Sequence, residues 1–94
     1  MSKFRSVWDA IEKTPAEAAN MRARAELMNA IIDCIKKRGW TQAQAAERLG
    51  VTQPRISNLR RGKIQLFSVD SLIEMLGHAG AHVSFVVKQR RQVA

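Results

Sequence analysis

Residues 41–62 read TQAQAAERLGVTQPRISNLRRG, and their pattern predicts two short helices joined by a tight turn. Thr41 is placed to cap the first helix, and Gln44, three residues on, completes a Thr-x-x-Gln capping box. Ala45, Ala46 and Leu49 fall at helical spacing and form an inward stripe. A side chain as small as that of Ala46 lets two helices cross closely. Gly50 follows Leu49, where the positive φ of a helix end is cheapest for glycine. Val51 is expected to plug the space between the helices. Thr52 caps the second helix, and Pro54 lies in its first turn, where a missing N–H goes unmissed. Ile56 and Leu59 face the core and Gly62 closes the helix, which leaves Gln53, Arg55, Ser57, Asn58 and Arg61 pointing outward.

The chain carries a formal net charge of +8, and the excess is uneven. Residues 1–20 balance three basic side chains against three acidic ones. Residues 36–63 set Lys36, Lys37, Arg38, Arg48, Arg55, Arg60, Arg61 and Lys63 against the lone Glu47. The positive field is therefore centred on the helix pair, where phosphate binding needs it. A polar face in such a field points to double-stranded DNA, with the second helix in the major groove. Gln53 and Asn58 can donate and accept at adenine, Arg55 or Arg61 can read guanine, and Ser57 can bond a base or a phosphate. Pro54 cannot donate, so an apolar contact to a thymine methyl is expected there. Gln42, at the start of the preceding helix, is placed to meet a phosphate with its backbone amide and side chain. Thr41 and Thr52 at the two caps, and Arg60, Arg61 and Lys63 around Gly62, are the further phosphate contacts expected.

The stretch resembles the helix-turn-helix of the phage-repressor-like, or XRE, superfamily, and the resemblance runs from about Asn20 to Gly80. SVWDAIEKTPAEAANMRARAELM upstream and LFSVDSLIEMLGHAGAHVSF downstream are similar to a subgroup that includes many HigA-type antitoxins. The resemblance implies a mainly α, five-helix, lambda-repressor-like domain with the base and phosphate roles given above. It also implies one of two functions. The first is a sequence-specific repressor that binds an inverted repeat as a homodimer, with half-sites ~34 Å apart. The alternative is an antitoxin that masks a small ribonuclease toxin and autoregulates its operon. A basic toxin would be repelled by most of this surface, and only the N-terminal segment, with Asp9, Glu12 and Glu17, offers it acidic contacts beside exposed apolar residues. Nucleoid or RNA binding driven by charge alone sits poorly with the polar recognition face.

Ninety-four residues suit a single domain with a modest core. Residues 1–19 read as an N-terminal extension. Phe4, Val7, Trp8 and Ile11 recur at helical spacing and predict a short amphipathic helix over 4–12. Phe4 and Trp8 are open to two readings, a partner-binding face or packing over the next helix. That helix should start at Thr14-Pro15-Ala16-Glu17, a cap with proline at the first helical position and a capping-box glutamate, and run to Arg38. Its apolar face is Met21, Ala25, Met28, Ile31, Ile32 and Ile35, and Gly39 stops it. After a linker, Lys63–Phe67, Ser68 caps another helix from Val69 to about His78, buried through Leu72, Ile73, Met75 and Leu76. The period then changes to two. Ala81, Val83, Phe85 and Val87 alternate with their neighbours as in a strand. A lone strand lacks partners for its backbone groups, so pairing of Val83, Phe85 and Val87 with the same strand of a second copy is expected, giving a two-fold dimer. Residues 88–91, KQRR, read as a solvated end.

The composition excludes much else. Nothing approaches the apolar run of roughly 18 residues that a membrane span needs, and MSKFRSVWDA lacks a signal-peptide core, so a cytoplasmic location is expected. The single cysteine, Cys34, rules out an internal disulfide and a cysteine-rich zinc site. Cys34 reads as a quiet core thiol. His78 and His82 are four apart, but Gly80 interrupts the helix between them, so neither a metal nor another cofactor is expected. An enzyme reading fails on inventory: there is no tyrosine, no nucleophile–base pair and no glycine-rich phosphate loop, and the eight carboxylates are scattered.

Overall fold

The computed structural model describes residues 14–89, so the helix expected over 4–12 lies outside the described residues. Four α-helices follow one another: α1 (Pro15–Arg38), α2 (Gln42–Leu49), α3 (Gln53–Arg60) and α4 (Val69–His78), with a 3₁₀ turn at Ile64–Leu66 between the last two. The five-helix expectation thus stands at four helices among the described residues. None of them is long and apolar enough to cross a membrane.

Local chemistry sets each boundary. Thr14 accepts from Glu17 N while Glu17 Oε1 accepts from Thr14 N at 3.0 Å, with Pro15 opening α1. The same reciprocal box forms at α2, where Thr41 Oγ1 accepts from Gln44 N at 3.1 Å and Gln44 Oε1 accepts from Thr41 N at 2.9 Å. Ser68 and Ser71 build a third box at α4. Lys36, Lys37 and Arg38 occupy the last turn of α1, at the negative end of its dipole.

Gly39 at φ 64° and Gly50 at φ 73° cap the C-terminal ends of α1 and α2 in the left-handed conformation. A β-carbon on Gly39 would meet nothing, whereas one on Gly50 would come 3.0 Å from Cδ2 of His78. The ring of His78, from the end of α4, therefore lies over the turn between α2 and α3. Gly39→Ala is expected to cost about 1–2 kcal/mol from backbone strain alone. Gly50→Ala should cost more, and adding His78→Ala should remove the excess. Urea denaturation of these variants checks this, and equal costs at the two glycines would show that the His78 ring yields freely.

The core is one cluster. Met28, Ile31 and Ile35 of α1 meet Ala45, Ala46 and Leu49 of α2, Ile56 and Leu59 of α3, and Leu72, Met75 and Leu76 of α4, with Phe67 and Ala79 completing it. α1 packs along α4 and across α3, while α2 packs on α3 and α4. Met21, Ala25, Ile32 and Ile73, expected in the buried stripes, are only half-buried. Phe67 was expected in a plain linker, yet it is 2% exposed and is the core's one aromatic among the described residues.

The tail departs most from expectation. Residues 81–89 form no regular secondary structure. Ala81 N still donates to Leu76 O at 2.9 Å, and beyond it no backbone group of residues 82–89 is paired among the described residues. One chain supplies no neighbouring strand, so a ladder cannot form. The strand expected at Val83, Phe85 and Val87 is accordingly absent from the isolated chain. Val83 packs against the core instead. Phe85, Val86 and Val87 are 63%, 81% and 93% exposed.

Candidate nucleic-acid interface

The recognition surface begins with α3. At roughly 100° per residue, Ile56 and Leu59 point one way, and both are fully buried. Gln53 and Pro54 are exposed, and Ser57 and Asn58 are half-buried beside them. No hydrogen bond within the described residues engages the side chains of Gln53, Ser57 or Asn58. Their donors and acceptors are therefore available to an external partner.

α2 meets α3 at their N-termini. Gln42 Nε2 donates to the carbonyl of Gln53 at 3.3 Å, joining the first residue of one helix to the first of the other. The residue expected to meet phosphate is thus tied to one expected to meet a base. With Gln44 N bonded to Thr41, the amides of Gln42 and Ala43 are the unpaired donors of the first turn, at the positive end of the α2 dipole. Thr41 Oγ1 and Thr52 Oγ1 each accept a capping bond, the latter from Arg55 N at 3.3 Å. Each hydroxyl keeps its proton to donate.

Arg60, Arg61 and Lys63 are exposed, and no ion pair engages them among the described residues. Gly62, at φ 72°, turns the chain between them. Arg60 lies on the flank of α3 next to Ile32 and Lys36 of α1, which extends the basic surface toward the end of α1.

Arg55, expected outward as a guanine reader, is half-buried, as Ser57 and Asn58 are, and lies on the flank of α3 away from Arg60. Its Nη1 donates to Leu66 O at 2.8 Å, and its guanidinium lies 4.1 Å from the centroid of the Phe67 ring. The signal available was the spacing from Leu59: at four residues, Arg55 shares its side of the helix.

Two more arginine roles escaped the sequence reading. Arg24 of α1 reaches the 3₁₀ turn, donating from Nη1 to Ile64 O at 3.2 Å and to Phe67 O at 3.4 Å. Arg38 and Arg48 stand over Trp40, at 5.2 Å and 5.9 Å from its ring centroid. Such contacts contribute about 0.5–1 kcal/mol each at exposed sites, and they hold two of the basic side chains in place. Trp40 itself is half-buried against the core.

Comparison with known proteins fits this geometry. A helix-turn-helix domain family model matches residues 11–88. The solved structure of an XRE family transcriptional regulator superposes with a TM-score of 0.74 at 32% identity, covering 83% of this chain and 91% of its own. No curated protein matches the chain. These matches reach the XRE level, coarser than the HigA-type subgroup that the flanking segments resemble. With one family model spanning most of its length and a solved XRE regulator sharing both fold and sequence, the chain belongs to the XRE family of helix-turn-helix proteins.

Proposed function

We propose that this protein is a sequence-specific, duplex-DNA-binding transcriptional regulator that acts as a dimeric repressor on an inverted repeat. The observation that carries this is the face of α3. Gln53, Pro54, Ser57 and Asn58 share it, their side chains making no hydrogen bond among the described residues, and Arg60, Arg61 and Lys63, in no ion pair among the described residues, flank it. α3 enters the major groove with its first two turns against base edges, while Gln42, Thr41, Thr52 and the basic cluster hold phosphates. The exposed Phe85, Val86 and Val87, and the unpaired backbone around them, support pairing with the same segment of a second copy. The antitoxin alternative has less behind it. Asp9 and Glu12 lie outside the described residues, and of the acidic side chains it invokes only Glu17 is described, exposed in the first turn of α1.

The test is enrichment of a binding site from random duplexes, followed by two variants. Gln53→Ala should relax preference at one base position, at about 1–3 kcal/mol. Arg61→Ala should weaken all duplexes alike and reduce the salt slope by about one. If Gln53→Ala costs the same on every sequence, base reading by α3 is wrong.

A further inference from the structure

The linker that follows α3 is held from two sides by arginine. Arg55 of α3 bonds Leu66 O and stacks on Phe67, while Arg24 of α1 bonds Ile64 O and Phe67 O. Together the two guanidiniums bond Leu66 O and Phe67 O at the C-terminal end of the 3₁₀ turn, where the turn supplies no donors, and Arg24 adds a second donor to Ile64 O, which already accepts from Phe67 N at 3.2 Å. No carboxylate lies anywhere between Glu47 and Asp70. Two cations therefore converge on one short segment without a carboxylate of their own, beside a surface already rich in Arg60, Arg61 and Lys63. An arrangement built only to hold the linker in place would be cheaper with neutral donors. Here it adds positive potential behind the basic cluster and fixes the direction in which that cluster points.

We propose that Arg24 and Arg55 are a positioning pair for DNA binding, a proposal that rests on the DNA-binding reading above. They touch neither base nor phosphate. They lock the segment from Gly62 to Phe67 at a set angle to α3, so that Arg61 and Lys63 meet phosphates when Gln53 and Asn58 meet bases. Arginine is required because one planar group must lie flat on the Phe67 ring and donate in the plane to Leu66 O. The compact ammonium of lysine cannot do both.

The test uses the full chain, a duplex enriched by the wild-type protein, and all single-base variants of that duplex, read by fluorescence anisotropy. Arg55→Lys, which keeps the charge, and Arg24→Met, which removes both carbonyl bonds, should each weaken binding by about tenfold or more. The ranking of the single-base variants should stay as in the wild type. The double variant should lose less than the product of the two single losses, because the linker is released only once. Wild-type affinity in Arg55→Lys overturns the proposal. So does a loss confined to one G·C pair, which makes Arg55 a base reader, and so do losses that multiply. Circular dichroism checks folding, and Arg55→Gln, with the same expected result, replaces any lysine variant that does not fold. Failure of the wild type to enrich any sequence defeats the DNA-binding reading itself and this proposal with it; every other failure defeats the positioning role alone.

Discussion

Leu59→Ala is expected to destabilise the fold by about 2–5 kcal/mol, the cost of removing a fully enclosed leucine and leaving a cavity. Leu59 is 0% exposed and sits where α3 crosses α1. The lining cannot close over the gap easily, because α3 is short and is pinned at both ends. Thr52 caps its start, and Gly62 and Arg55 fix its exit. For a domain of this size each kcal/mol lowers the melting temperature by about 4–8 °C, so a fall of about 10 °C or more should appear in thermal melts. Arg60→Ala, one residue away and exposed, is the control and should stay within about 0.5 kcal/mol of wild type. A cost below about 1 kcal/mol at Leu59 would show that α3 is not locked against α1 as drawn here.

The central part of the fold was legible because its signals are local. Thr14 and Thr41 each sit three residues before a partner that completes a box, Ser68 stands where a cap belongs, and Gly39 and Gly50 each directly follow the last residue of a helix. Those signals depend on chemistry within one turn, so they survive being read one segment at a time. Phe67 was missed because it is buried in a core assembled from α1, α2, α3 and α4, whose residues are distant in sequence. Ile64–Leu66 likewise forms its turn only against α1, which no local pattern announces.

The site was legible for a similar reason, and only in part. A helix with two buried aliphatics three residues apart must show its other residues outward, which singles out Gln53, Pro54, Ser57 and Asn58. Arg55 was not singled out as a tie to the linker, because a long charged side chain at the edge of the buried stripe can go either way. In the structure its guanidinium meets the Leu66 carbonyl and the Phe67 ring. The tail was misread for a different reason. Alternation describes what a segment can do beside a neighbouring strand, and the isolated chain contains no such neighbour.

That tail is the source of the second large effect. Deleting residues 85–94 keeps Val83, the last tail residue packed on the core, so folding stability should barely change. The oligomeric state should change completely. Residues 79–87 carry no Asp, Glu, Lys or Arg, in a chain of net charge +8. Two copies repel one another over most of their basic surface, and this stretch is where they can approach without that penalty. It also offers unpaired backbone groups and the exposed side chains of Phe85, Val86 and Val87, the ingredients of an intermolecular ladder. The truncated chain is therefore expected to sediment as a monomer where the full chain sediments as a dimer. On a duplex with two half-sites its affinity should fall by about 10²–10⁴, the advantage lost when the second recognition helix is no longer tethered to the first. On a single half-site the two proteins should bind alike, because α3 and the basic cluster are untouched. A dimer that survives the deletion would move the interface off the tail. A loss of affinity on the single half-site would mean that the tail serves the α3 surface rather than the pairing of copies.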